Sequence, residues 1–288
     1  MDSNSYRFEE YIYDDALFKN IDMTYVIHLE NNGRLESVKN QLNKYKPTNT
    51  CKILYNKGFK KSHKPHLPEQ NSTYDLVDAY LYILKDAQKH NYQHILILED
   101  DFFFDKDVHE CSKDVDDFII HNKYNTYALG CIPYILYPCD ITLKHHKYLM
   151  KSGTHALIYN NTFINETLNT SQNEIMGWDC YTNKIDGVCY YNPLCYQLFP
   201  ETENQKHWVT ESENTFNNIL YTPLNKYISY FVVNFCIWLI LLMTLDKSET
   251  PGYFIMYTLS KGLFYLFVFV FFYYLFKGLM RMFKKRVR

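Results

Sequence analysis

The chain has 288 residues, with 30 Lys and Arg against 32 Asp and Glu, so its formal net charge of −2 supplies no basic field of the kind nucleic acid requires. Eight cysteines, at 51, 111, 131, 139, 180, 189, 195 and 236, form no Cys-x-x-Cys pair and show no His spacing suited to structural zinc. The opening residues are polar and acidic and contain no apolar stretch, so a cleaved signal peptide is not expected.

Taken in chain order, Asp22–Leu29 is a β-branched and aromatic run that reads as a strand, and Leu35, Val38 and Leu42 recur at helical spacing behind it. Cys51–Tyr55 predicts a second strand, and His63–Asn71, with Pro65 and Pro68, predicts a loop. A helix follows from Ser72 or Thr73, either of which could cap it, to Lys89. His94–Leu98 is a continuous apolar run, the pattern of a central parallel strand covered on both faces. A helix around Asp114–Asn122 and strands at Thr126–Ile132 and Gly153–Tyr159 come next, and the stretch from 171 to 210 reads as loops covering a substrate. Strands alternating with helices predict an α/β fold with a doubly wound sheet whose ligands sit at the carboxyl ends of the strands.

The run at 94–98 stops abruptly at Glu99-Asp100-Asp101. Three adjacent carboxylates raise one another's pKa unless they are solvated or bridged by a cation. Mn²⁺ or Mg²⁺ suits such a position, because it takes one or two protein carboxylates and completes its shell with water and substrate phosphates. The alternative reading is a solvated turn that caps the next segment.

Ile95-Leu96-Ile97-Leu98-Glu99-Asp100-Asp101 resembles a segment of family 25 glycosyltransferases, which include lipooligosaccharide and procollagen galactosyltransferases. Tyr25–Leu29 with Arg34-Leu35, the helix Leu81–Lys89, and Ser152–Ile158 are similar to that family in the same order. The pattern departs from the family at Glu30-Asn31-Asn32-Gly33, where an Arg cluster is reduced to Arg34, and at Ala79-Tyr80, near the family's Ser-His position. Organisation and composition also resemble glycosyltransferases encoded by large DNA viruses. The resemblance implies a GT-A-type, Rossmann-like nucleotide-sugar-binding domain, divergent within the family. It implies that Asp101 is a metal ligand, that Glu99 is a second ligand or lies near the donor ribose, and that Asp100, Arg34 and His155 lie at the donor. It further implies a UDP-sugar or related donor and a glycan or glycoprotein acceptor.

Transfer with inversion needs a base for the acceptor hydroxyl. Asp179, in Met176-Gly177-Trp178-Asp179-Cys180, is the candidate, with Trp178 as an aromatic platform for a sugar ring; the segment resembles the acceptor region of inverting GT-A galactosyltransferases. The alternative is a buried Trp beside a capping Asp. His207, in Lys206-His207-Trp208, follows the last expected strand, where some GT-A enzymes place a third metal ligand; the resemblance implies that role, and the alternative is a structural histidine.

The long apolar runs lie after Lys226, which predicts one globular domain over 1–225 and a membrane anchor over 226–288. Residues 228–245 carry no charge, and 18 residues give roughly 27 Å of helix against a hydrocarbon core of about 30 Å. Residues 253–280 predict a second span, and the tail 281–288 holds five Lys or Arg, which places both ends of the chain in the cytoplasm. The expectation is an integral membrane protein whose catalytic domain faces the cytoplasm, on a host endomembrane or virion membrane if the chain is viral. Membrane lipid is then a partner and nucleic acid is not. Two other classes fit the same residues: an inactive, membrane-anchored binding protein, and a nucleotide-sugar hydrolase.

Overall fold

The computed structural model describes residues 5–197, apart from 141 and 143 and the side chains of 132–138, 149, 150 and 152. In chain order the elements are β1 (Tyr6–Ile12), β2 (Met23–Leu29), α1 (Leu35–Tyr45), β3 (Thr50–Asn56), α2 (Ser72–Lys89), β4 (His94–Glu99) and β5 (Phe102–Phe104). They continue with α3 (Val108–His121), β6 (Thr126–Pro138), β7 (His145–Asn160), α4 (Asn161–Asn169), α5 (Trp178–Thr182), β8 (Gly187–Tyr190) and β9 (Cys195–Gln197).

Seven strands form one mixed sheet in the order β1-β3-β2-β4-β7-β6-β8, with β3, β2 and β4 mutually parallel and β1 and β7 antiparallel to their neighbours in that central group. Alternation along the central strands divides the core in two. Met23, Tyr25, Ile27, Ile95 and Ile97 face α2, α4 and α5, whereas Val26, Leu96 and Leu98 face α1 and α3. Both faces of the sheet are therefore covered, as the unbroken apolar run of β4 predicts, and the chain is a mixed α/β protein. Each fully buried Leu, Ile or Val contributes about 1.5–3 kcal/mol relative to exposure.

Three findings correct the expected elements. The α2 cap is Asn71, whose side chain accepts from the Tyr74 amide at 2.9 Å, in place of Ser72 or Thr73. The two short strands expected at 126–132 and 153–159 are parts of a long antiparallel pair, β6 and β7, with irregular register between them. Lys151, Ser152 and Gly153 break the apolar pattern of β7, although the backbone continues through them. Within the stretch expected to be loops, α5, β8 and β9 form, and β9 pairs with β5 as a separate two-stranded sheet.

Among the described residues no helix is long and apolar enough to cross a membrane. The expected spans at 228–245 and 253–280, the basic tail and His207 lie outside the described residues.

Candidate active site

The parallel strands β2, β3 and β4 end at a common edge, and register places Glu99 beside Ile27, so the carboxylate triplet emerges next to the β2–α1 turn. The three carboxylates diverge from there. Glu99 turns toward α2 and β7: its Oε1 accepts from Tyr80 Oη at 2.9 Å and Thr154 Oγ1 at 2.6 Å. Burial pushes its pKa up, and the charge of Asp179 adds to that rise.

Asp100 turns back to the β2–α1 turn. Its Oδ1 accepts from Arg34 Nη1 at 2.6 Å, while Oδ2 takes the Leu29 amide at 3.0 Å, Asn32 Nδ2 at 2.5 Å and His28 Nδ1 at 3.0 Å. Burial alone would raise this carboxyl, but the His28 hydrogen bond and the Arg34 charge outweigh it and hold the pKa below the ordinary value. Both oxygens are thus committed within the protein. Asp100, expected at the donor, fixes the turn that carries Arg34 and holds that side chain through its Oδ1.

Asp101 turns toward β9. Gln197 Nε2 donates to its Oδ2 at 2.8 Å and Arg34 Nη1 stands 3.6 Å away, but the buried Oδ1 has no hydrogen-bond partner. Burial, followed by the charges of Glu99 and Asp100, pushes the carboxyl up to about 8. Arg34 Nε is likewise buried without a partner. An unsatisfied acceptor and an unsatisfied donor therefore lie on adjoining side chains, in a protein whose other buried polar groups are mostly paired.

Asp179 stands at the start of α5 with its side chain half exposed, 3.8 Å from the fully buried Lys151 Nζ. The carboxylate reaches solvent, yet enough protein surrounds it that desolvation raises its pKa; Lys151 and the Gly153 backbone offset part of the rise. Lys151 is held by Thr182 Oγ1 at 3.1 Å and the Gly153 carbonyl at 3.4 Å. The structure thus brings Arg34, Glu99, Asp101 and Asp179 to one edge of the sheet.

Two other residues lie elsewhere than expected. Trp178 is 2% exposed, stacks on Tyr80 at 4.3 Å and donates from Nε1 to Tyr159 Oη at 2.8 Å, so its ring offers no face to a sugar. This is the buried Trp of the alternative reading, and its stack on Tyr80 ties α5 to α2. His155 is also 2% exposed; it packs beneath Gly130, with Nε2 3.5 Å from the Cys195 carbonyl and Nδ1 without a partner. Burial pushes its pKa down to about 4, so it is neutral and lies behind the site instead of at a donor surface. A Cβ at Gly130 would collide with the Cys195 carbonyl and with His155 Nε2, which is why that strand position needs glycine.

Sequence reasoning missed His28, Asn32, Tyr80, Lys151, Thr154 and Gln197. His28 and Asn32 lie in segments compared with the family, but the pattern alone does not reveal their convergence on Asp100. Gln197 becomes visible only through the β5–β9 pairing.

Among the described residues no group of three or more His, Cys, Asp and Glu side chains is arranged to hold a metal ion. Asp101 Oδ1 nevertheless fits a divalent cation, being a buried carboxylate oxygen with no other partner, and Mg²⁺ or Mn²⁺ commonly relies on only one or two such ligands.

No protein-family model matches the chain, and no curated protein matches it. Among solved structures, the chain is similar to A197 from STIV at 12% identity and a TM-score of 0.36, over 62% of this chain and 86% of that one. At that level the likeness carries no argument about fold or activity.

Proposed function

We propose that this chain is a metal-dependent glycosyltransferase of the GT-A type, a divergent relative of family 25, that moves a sugar from a nucleotide-diphosphate donor to a hydroxyl of a glycan or glycoprotein. One observation carries the reading: Asp101 Oδ1 and Arg34 Nε are both buried and unpartnered, on side chains that approach through Asp101 Oδ2 and Arg34 Nη1 at 3.6 Å, at the carboxyl edge of the parallel strands. A ligand that satisfies both must offer a positive centre to the carboxylate and an anionic oxygen to the guanidinium. A metal-bound diphosphate has both features.

In this reading Arg34, fixed by Asp100, donates to a phosphate oxygen, and Asp101 would hold Mn²⁺ or Mg²⁺, with Glu99, whose charge acts on Asp101, as the second carboxylate near the ion. The cation would supply charge stabilisation for the departing diphosphate. Asp179 accepts the acceptor proton as the hydroxyl oxygen bonds to the anomeric carbon and the bond from that carbon to phosphate breaks. Its partial exposure gives an acceptor access, and the nearby Lys151 ammonium favours the ionised form that a base requires. The doubly wound nucleotide-sugar domain, the apolar anchor at 228–245 and 253–280, and the cytoplasmic orientation belong to the same proposal.

Incubating the purified full-length chain with UDP-, GDP- and TDP-sugars, Mn²⁺ and a glycan panel tests it. Transfer from one donor is the expected result. Hydrolysis without transfer on any acceptor would assign the site to a hydrolase, and no turnover of any donor would contradict the proposal.

A further inference from the structure

The connection from β3 to α2 carries one carboxylate, Glu69, near its end, and the stretch before it is chemically one-sided. From 57 through 68 it contains Lys57, Lys60, Lys61, His63, Lys64 and His66 and no Asp or Glu, in a chain whose formal net charge is −2. Such a run is ordinarily a mobile, solvated loop, but here its conformation is fixed from inside. Gly58 adopts φ +79°, donates to Asn56 Oδ1 at 2.9 Å and fits where a Cβ would stand 2.8 Å from Leu29 Cδ1. Its carbonyl accepts the Lys61 and Ser62 amides at 3.1 and 3.0 Å, and Ser62 Oγ meets Ser5 Oγ at 2.6 Å.

Lys64 is the central anchor. Its ammonium is fully buried, 2.6 Å from Asp75 Oδ1, 3.1 Å from Asn56 Oδ1, 2.5 Å from Tyr6 Oη and 3.6 Å from Asp78 Oδ2. Asp78 also meets His66 Nε2 at 2.8 Å. Burying an ammonium is costly unless it is paired and hydrogen-bonded, as this one is. One lysine thus pins the loop from inside, while Lys60, Lys61 and His63 remain exposed.

The position of the loop matters as much as its charge. It leaves the carboxyl end of β3, one strand away from the β2 end that carries Arg34, and it leads into α2, whose first turn lies beside the Trp178-Asp179 segment: a Cβ at Gly177 would stand 3.5 Å from Thr73 Cγ2. Gly177 lies between Met176, 71% exposed, and the Trp178-Asp179 pair.

We propose that the 57–66 loop is a preorganised anion-docking surface that receives a phosphate group on the acceptor substrate. A loop backbone held in one conformation presents the exposed Lys60, Lys61 and His63 within four consecutive residues, which suits a compact anion; attraction to a charged bilayer needs no fixed backbone. The assignment to the acceptor rests on the transferase reading, whereas the anion site does not.

Sodium tripolyphosphate, titrated calorimetrically into the full-length protein in detergent, tests the surface without donor or transfer. Lys57→Gln with Lys61→Gln should weaken binding by about 10-fold, since two unit charges leave the neighbourhood of the anion. Lys113→Gln with Lys123→Gln removes the same charge from exposed positions elsewhere and should change it by less than about 2-fold. Equal weakening by the two pairs, or no binding by the wild type, would overturn the proposal. So would trypsin protection at Lys61 in nanodiscs containing phosphatidylserine but none with tripolyphosphate, which would give the loop to the bilayer. A chain that binds tripolyphosphate through this loop yet turns over no nucleotide sugar keeps the anion site and loses the transferase.

Discussion

The surroundings of Asp100 and of Asp101, adjacent residues at the end of β4, treat a buried carboxylate in opposite ways. On the β2–α1 side, Asp100 receives the Leu29 amide, Asn32, His28 and Arg34, and its pKa stays below the ordinary value against the pull of burial. On the β9 side, Asp101 has Gln197 and, 3.6 Å from its Oδ2, the same Arg34 Nη1, its Oδ1 is orphaned, and burial with its acidic neighbours pushes it up to about 8. The difference separates a saturated carboxylate from an unsatisfied one, a distinction the shared motif does not make. A carboxylate whose capacity is filled by its own protein organises the fold; one left unsatisfied while buried has capacity for something else.

The largest test of that contrast is stability. Asp100→Ala leaves Arg34 without its closest counter-charge in a nearly buried setting, and should cost about 3–5 kcal/mol in urea unfolding. Asp101→Asn should cost little or stabilise the metal-free protein, because it replaces a carboxyl already driven toward its neutral form. Equal losses for the two would erase the distinction.

A somewhat smaller effect concerns His155, behind the Asp101 pocket. Its pKa is depressed by burial from 6.5 to about 4, so between those values the unfolded chain binds a proton that the folded chain refuses. Its contribution is therefore intact above about pH 6.5 and is lost as pH falls toward 4, by up to about 3 kcal/mol. His155→Gln should flatten the acid limb of a stability–pH profile. His94, His145 and His146 are also lowered by burial and keep their own share of that limb. An unchanged profile in the variant would show that burial does not depress the His155 pKa.

The smallest effect lies at the start of α2, which carries the Tyr80 that holds Glu99. Asn71→Ala removes the cap on the Tyr74 amide and should cost about 1 kcal/mol, measured by thermal or urea unfolding, with the carboxylate cluster unaltered.

The central strands were legible in the sequence because each obeys one simple pattern: β4 is apolar throughout since both faces are covered, and it ends where three acidic residues begin. The long β6–β7 pair was less so. Lys151 looks like a surface residue in any periodic reading, but it is fully buried because Thr182, the Gly153 carbonyl and Asp179 surround its ammonium. Trp178 illustrates the same limit at the site: an aromatic beside an acid suits a sugar platform and a core anchor equally, and only the Tyr80 stack and the Tyr159 hydrogen bond decide between them. Which carboxylate of the triplet is saturated depends on His28, Asn32 and Gln197, brought together by strand pairing that no local pattern encodes.

The contrast between the two carboxylates is tested most directly by titrating Mn²⁺ into the full-length protein with UDP present and following the free ion by electron paramagnetic resonance. The wild type should take up the ion, and Asp101→Asn, folded and equally stable, should bind it at least about 10- to 100-fold more weakly. Uptake by Asp101→Asn as tight as by the wild type would contradict the assignment of Asp101 as the ligand-binding carboxylate.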